Sequence, residues 1–163
     1  MRYLMLKAGD REALLEHLAS MPRFLADCFR DLSVEAASTP GPAGSFSPVE
    51  HCWHLADVED EGFGVRIRRL RDEVMPQMPD FDGDRVAAER QYRKKSLLAG
   101  IEAFRNAREA SLRAIREIGP LEWERPGVQE GVGAIMLCDL PNMMVEHDEA
   151  HRVEIQNWLR TRA

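Results

Sequence analysis

Proline and glycine residues divide this chain of 163 residues into four long segments in which apolar side chains recur every three or four positions. Such spacing predicts amphipathic helices separated by turns. The first predicted helix covers residues 10–31, where Asp10 can act as the N-cap. Pro22 lies within it and predicts a kink, because proline removes one helical hydrogen bond. A loop rich in proline and glycine follows at residues 38–44.

The second predicted helix has the clearest beginning in the sequence. Ser47 is a favourable N-cap, Pro48 suits the first helical position, and Glu50 completes a capping box. The helix should continue to about Met75, because Pro76 comes next and the residue before a proline avoids helical geometry.

The third long helix follows a second set of turn signals. After a short helix near residues 84–91, it should run from Ser96 to Gly119, where glycine followed by proline is a common stop signal. The glycine-rich stretch at residues 127–133 is predicted to form a loop.

The last predicted helix resumes near Ala134 and runs to about Arg160. Asp139 and Pro141 either cap a fresh start or kink a longer helix. Four long helices without a strong strand signal predict an all-α fold, a four-helix bundle in a single domain that spans residues 1–163.

The charge balance disfavours nucleic acid as a partner. The formal net charge is −6, whereas general nucleic-acid binding depends on an excess of positive charge. A cluster of arginines lies among acidic residues, and this mixture predicts a solvated helix face. The arginines are Arg66, Arg68, Arg69 and Arg71, and the acids are Glu59, Asp60, Glu61, Asp72 and Glu73.

Cysteine usage and hydropathy predict a cytoplasmic protein. Cys28, Cys52 and Cys138 are odd in number, lie far apart and form no CxxC motif, which suits free thiols in a reducing compartment. The apolar stretch at the N-terminus is too short for a signal peptide, and no apolar run approaches the roughly 18 residues that span a membrane. We therefore expect no membrane partner.

Two histidines stand four residues apart in the last predicted helix. Residues at positions i and i+4 share one helix face with Cβ atoms about 6 Å apart, so His147 and His151 can reach one metal ion. In a chain with five histidines such a pair arises by accident in roughly one sequence in ten. The alternative is a pair of surface histidines, because Asp148, Glu149 and Arg152 flank them.

A metal site needs a third ligand, and the second helix offers His51 and His54. Val58 and Val65 lie on nearly the same helical face as His54, which predicts that His54 points to the core. A buried neutral histidine without a partner is costly, so coordination would explain its place; a hydrogen bond within the core is the alternative. Whether His51 contributes stays open, and His17 has no partner pattern.

Two segments resemble the DinB family, also called DinB/YfiT-like. The stretch SPVEHCWHLADVE at residues 47–59 is similar to the family's second-helix signature. Residues 147–155 resemble its fourth-helix pattern HxxxHxxQI, with Glu154 in place of the usual glutamine. Two motifs at the right separation are far more specific than either one alone.

The resemblance implies a four-helix bundle with a long crossover connection and one divalent metal ion, zinc or nickel, held by His54, His147 and His151. Water or a small-molecule substrate would fill the open positions, which are typical of catalytic metal sites. Because relatives use low-molecular-weight thiols, the resemblance favours a metal-dependent S-transferase with such a thiol as cosubstrate. The alternatives are a metal-dependent hydrolase and a stress protein that binds metal or small molecules without turnover.

Two acids of the second helix are candidates for a catalytic role. Asp57 and Glu61 follow His54 and could orient a ligand histidine or move a proton. The alternative is that both belong to a solvated helix face.

The three tryptophans bear on assembly, because tryptophan is enriched at protein interfaces. Because proteins with this resemblance often pair through helix faces, we expect a homodimer in which at least one of Trp53, Trp123 and Trp158 lies at the partner surface. The alternative is that all three pack in the core.

Overall fold

The computed structural model describes residues 2–163, most of which are helical. The helices are α1 (Ala8–Phe29), α2 (Val34–Ala37), α3 (Pro48–Asp57), α4 (Val65–Asp72), α5 (Gly83–Glu89), α6 (Leu97–Arg116) and α7 (Leu140–Arg160). Short 3₁₀ turns lie at Tyr3–Met5, Pro42–Gly44, Tyr92–Lys94 and Leu137–Asp139. A π-helical segment, Val58–Gly64, joins α3 to α4, so residues 48–72 form one long helix. The four long helices form the predicted bundle, and residues 73–96 are its long crossover connection.

The second long helix begins as the sequence predicts. The Glu50 carboxylate accepts hydrogen bonds from the N–H and the hydroxyl of Ser47, at 2.9 and 2.8 Å. Pro48 occupies the first turn. The helix ends at Asp72, earlier than predicted, and Met75 has a left-handed backbone conformation with a φ of 50°. The capped start determines where the histidines of α3 lie.

The first long helix, α1, continues through Pro22. Pro22 has no N–H to donate to the carbonyl oxygen of Leu18, one turn earlier. Arg108 of α6 donates a hydrogen bond to that oxygen at 2.8 Å. A side chain from another helix thus replaces the missing backbone hydrogen bond.

Three short strands form a sheet that the sequence patterns did not predict. The strands are β1 (Gln77–Met78), β2 (Pro126–Gln129) and β3 (Gly133–Met136), with β2 in the middle, parallel to β1 and antiparallel to β3. The predicted loop at 127–133 and the predicted helix from Ala134 were therefore wrong. Gly131 and Gly133, with φ of 77° and 100°, allow the tight connection between β2 and β3. The last helix, α7, begins after the sheet and has Pro141 in its first turn.

The buried apolar side chains form two main clusters, and each takes residues from all four long helices. The first includes Leu15, Ile67, Leu112 and Met144, and the second includes Met21, Leu55, Phe104 and Ile155. Burial of apolar surface therefore joins the four helices in both clusters. Within residues 2–163, no helix combines the length and the apolar character that a membrane span requires.

Two charged side chains of the second long helix are buried, although the sequence predicted a solvated face there. Glu59 and Arg66 are only 1% and 6% exposed. Glu59 lies in the π-helical segment, whose wider turns change which residues face the core. The predicted solvated face is wrong at these two positions.

The tryptophans differ in burial. Trp123 and Trp158 are buried, whereas Trp53 is partly exposed. The indole N–H of Trp53 donates to the carbonyl oxygen of Ser96 at 2.9 Å, and the Lys95 ammonium lies 4.0 Å from the ring centre. Of the three, only Trp53 is placed to reach a partner surface, and the homodimer stays a prediction.

Candidate metal centre

Three histidines from two helices converge on one point. His54 lies near the end of α3, and His147 and His151 lie one turn apart on α7. His147 Nε2 is 3.3 Å from His54 Nε2 and 3.3 Å from His151 Nε2. A tetrahedral metal ion with bonds of about 2.0–2.1 Å separates its ligand nitrogens by about 3.3–3.4 Å. These two separations match that geometry, and one nitrogen from each of the three rings lies within 4.8 Å of the others, in a group that could hold a metal ion.

Burial keeps these rings neutral. Desolvation lowers the pKa of His54 to about 3 and that of His147 to about 4, and it also lowers the pKa of His151. Neighbouring histidine rings lower the pKa of His54 and His151 further. The positive charges of Arg108 and Arg66 also lower the pKa of His147. Neutral imidazole is the form that binds metal, so the lone pairs are available at neutral pH.

Aromatic rings and one glycine surround the histidines. The Phe46 ring centre is 5.1 Å from that of His54, and the Phe63 ring centre is 5.9 Å from that of His147. At Gly83, the first residue of α5, a Cβ atom would lie 2.4 Å from His54 Cε1. Only glycine therefore lets the crossover segment pack directly on His54. This apolar surface explains the desolvation of the rings.

A cleft of about 490 Å³ opens over His54 and His151. Among the described residues, its lining contains four carboxylates and no Lys or Arg side chain. The acids are Asp80, Asp82, Asp84 and Glu154. Burial raises the pKa of Glu154, and the neighbouring Asp84 raises it further. The cleft gives small molecules access to the histidines and favours neutral or cationic ones.

The structure places His51 behind His151. His51 is 1% exposed, and its Nδ1 lies 3.0 Å from Nδ1 of His151. Its Nε2 is 3.8 Å from a carboxylate oxygen of Glu154. His51, His151 and Glu154 form a second group that could hold a metal ion. His17 is remote from both groups and contacts Glu149 at 2.7 Å near the surface.

Comparison with known proteins identifies the family. The sequence profile of the DinB superfamily matches residues 9–155. The chain belongs to the DinB superfamily. A similar fold occurs in YfiT from Bacillus subtilis, described as a probable metal-dependent hydrolase with an unusual four-helix bundle topology. The TM-score is 0.86 at 15% sequence identity, and the match covers 96% of this chain and 89% of YfiT. The comparison with curated proteins gave no match.

In this DinB-superfamily protein, the two acids predicted to be catalytic are bound to Arg90. The Arg90 guanidinium donates to Asp57 at 2.6 Å and to both oxygens of Glu61 at 2.9 Å. The Tyr92 hydroxyl also donates to Asp57; burial and this hydrogen bond raise the pKa of Tyr92. Neither acid is among the residues that line the cleft. These contacts connect the crossover segment to the second long helix, and the catalytic role of Asp57 and Glu61 stays a prediction.

A buried ion cluster lies beside the histidines of this DinB-superfamily fold. Arg108 donates two hydrogen bonds to Glu59, both at 2.9 Å, and two to Asp148, at 2.7 and 2.9 Å. Its fifth goes to Leu18, so every N–H of the guanidinium is used. Burial alone would lower the pKa of Arg108, but the two carboxylates raise it above its usual value. Because Asp148 follows His147, the cluster also fixes the part of α7 that carries the histidines.

Sequence reasoning missed this cluster, although one signal was present. Arg108 stands four residues after Phe104 and four before Leu112, both of which are core residues of α6. An arginine on an apolar helix stripe requires buried acceptors. Nothing in the local pattern identifies Glu59 and Asp148 as those acceptors.

Proposed function

We propose that this DinB-superfamily protein binds one divalent metal ion, zinc or nickel, through His54, His147 and His151 and is an enzyme that acts on small molecules. The proposal depends on the convergence of three neutral imidazoles, two of them buried and one partly buried, next to an open cleft that His54 and His151 line. A divalent ion at such a site acts as a Lewis acid and makes a bound water or thiol more acidic. The description of YfiT as a probable metal-dependent hydrolase supports the same class.

Hydrolysis is the first candidate, because the cleft contains a carboxylate beside the metal ligands. Glu154 lines the cleft, and one of its oxygens is 3.9 Å from Nδ1 of His151. Its raised pKa makes it a stronger base than an ordinary glutamate, suited to accept the proton of an attacking water. The four carboxylates of the cleft favour neutral or cationic esters and amides over anionic ones.

A thiol-dependent S-transferase is the second candidate. Asp57 and Glu61, the acids predicted to move protons, are bound to Arg90 and do not line the cleft. A thiol that loses its proton on binding a metal needs no protein base nearby, so this arrangement is compatible with thiol transfer. The acidic cleft then favours a thiol whose remaining part is neutral or cationic.

The hydrolase proposal is tested with metal-loaded protein and matched substrates. The zinc, nickel and cobalt forms are assayed with a series of aryl esters and a series of anilides. Within each series, the substrates differ only in one substituent, which is an ammonium, a neutral or a carboxylate group. We expect turnover of the neutral and cationic substrates and its loss in His147→Ala. Equal turnover in His147→Ala, or a preference for the carboxylate series, would contradict the proposal.

The transferase candidate has a spectroscopic test. Cysteamine and mercaptopropionate are added to the cobalt form, followed by a haloaromatic electrophile. A sulfur-to-cobalt charge-transfer band that is stronger with the cationic thiol, together with thioether formation, supports S-transfer. A lack of any band removes this candidate, and the absence of both reactions leaves a metal-binding protein without turnover.

A further inference from the structure

The contact between His51 and His151 has a property that the other histidine contacts lack. It joins two Nδ1 atoms at 3.0 Å, with the ring planes at 86° to one another. Both rings are buried, and burial favours the neutral form of each. Two neutral rings in this contact share one proton, which means that one Nδ1 donates and the other accepts.

The proposed metal site decides which ring donates. A neutral imidazole that binds metal through Nε2 carries its proton on Nδ1. Since Nε2 of His151 faces Nε2 of His147 at 3.3 Å, His151 must be the donor in its contact with His51. His51 is then the acceptor at Nδ1, and its own proton lies on Nε2.

The other nitrogen of His51 faces a second acceptor. His51 Nε2 is buried, has no hydrogen-bond partner and lies 3.8 Å from an oxygen of Glu154. The Glu154 side chain is 46% exposed, so it is free to move the roughly 1 Å that would bring the oxygen to an ordinary hydrogen-bond distance of about 2.9 Å. A chain of contacts thus runs from His151 through His51 to a carboxylate of the cleft.

We propose that His51 is a positioning residue that accepts the Nδ1 proton of His151 and thereby holds the His151 ring with Nε2 towards His54 and His147. The inference rests on the metal site proposed above and deepens it. The capping box supports this role, because Ser47 and Glu50 determine where α3 begins and hence where His51 lies. Groups with this role at known metal sites change metal affinity roughly 10–100-fold when they are replaced.

The test compares two variants of similar size. In His51→Asn, the side-chain oxygen can occupy the place of Nδ1 and accept the same hydrogen bond; in His51→Leu, no acceptor remains. Zinc affinity is measured by competition with a chelator. We expect His51→Leu to bind zinc roughly 10–100-fold more weakly than the wild type, and His51→Asn to stay within about threefold of it. Wild-type affinity in folded His51→Leu, or equal losses in both variants, would overturn the proposal.

A second measurement needs no variant. In ¹⁵N spectra of the zinc-loaded wild type, we expect His151 to be protonated at Nδ1 and His51 at Nε2. Protonation of His51 at Nδ1 would overturn the assignment even if His51→Leu fails to fold. Two zinc ions per chain, one of them lost in His51→Asn, would show instead that His51 is itself a ligand with His151 and Glu154.

These readouts do not depend on turnover. Zinc binding with the expected tautomers but without hydrolysis or thiol transfer would support the role of His51 and overturn the proposed reaction. A wild-type protein that binds no zinc would overturn both.

Discussion

Two buried polar clusters occupy neighbouring residues of α7, and they differ in whether their hydrogen-bonding groups are satisfied. Around Arg108, all five guanidinium N–H groups meet acceptors on Glu59, Asp148 and Leu18. Around His151, ring nitrogens face one another at 3.3 Å, and two buried ring nitrogens, His54 Nδ1 and His51 Nε2, have no partner. Buried polar groups are normally paired, so unsatisfied ones call for an explanation.

This difference in hydrogen bonding suggests that the Arg108 cluster has a structural role and the histidine cluster a functional one. The Arg108 cluster contacts α1, the second long helix and α7 from its position in α6, and it needs nothing further. The facing nitrogens of the histidine cluster would be satisfied by the proposed metal ion, which accepts their lone pairs.

The largest effect is expected on metal content. Wild-type protein purified without chelator should contain close to one divalent ion per chain by elemental analysis. His147→Ala and His151→Ala should contain almost none, because removing one of three protein ligands leaves too little affinity. His17→Ala is the matched control and should keep the ion, since His17 contacts only Glu149 near the surface. Full metal content in the variant that lacks both His147 and His151 would show that the ion binds elsewhere.

Replacing Arg108 should affect stability. In Arg108→Met, two carboxylates stay buried without their partner, and we expect the free energy of unfolding in urea to fall by about 3–5 kcal/mol. Arg105→Met is the control, because the Arg105–Glu102 pair is exposed and its loss should change little. If the free energy of unfolding fell equally in both variants, the buried Arg108 cluster would contribute no more to stability than an exposed ion pair.

The metal-free protein should lose stability in mild acid. The pKa of His54 and His147 falls from 6.5 to about 3 and about 4 in the folded state, so the folded protein binds fewer protons than the unfolded chain between these values. The contribution of these two rings to the free energy of unfolding should therefore decrease below pH 6.5, by about 1.4 kcal/mol per pH unit for each ring that stays neutral, and this contribution should level off near pH 3–4. Chemical unfolding at pH 7, 6 and 5 measures the slope. A variant with leucine in place of His54, His147 and His151 should have a smaller slope, and an unchanged slope would contradict the assignment.

Substitution of the two acids bound to Arg90 is expected to have the smallest effects on stability and turnover. Asp57→Asn and Glu61→Gln weaken partly exposed ion pairs, which are worth about 0–1 kcal/mol. We expect small decreases in melting temperature and little change in turnover, because neither acid lines the cleft. A more than tenfold loss of turnover in a folded variant would establish the catalytic role that the sequence suggested.

The long helices and the shared face of the two histidines on α7 could be predicted from local sequence patterns. The capping box at Ser47 and Glu50 appears as predicted, and His147 and His151 share a face because residues four apart always do so in a helix. These features depend on neighbours within one helix. Helical periodicity indicated that His54 points to the core, and the resemblance implied that it is the third ligand and that the bundle has a crossover connection. The match to the DinB superfamily confirms the family and the fold.

The contacts between residues far apart in the sequence could not be predicted in this way. Arg108 is separated by 49 residues from Glu59 and by 40 from Asp148, and β1 pairs with a strand near residue 128. Such pairings depend on how helices and strands pack together, and the π-helical segment alters which residues face the core. The same packing places Nδ1 of His51 against Nδ1 of His151, 100 residues away in sequence. Periodicity identifies the face of a helix, but the hydrogen-bond partners on that face are set by the packing of the other helices.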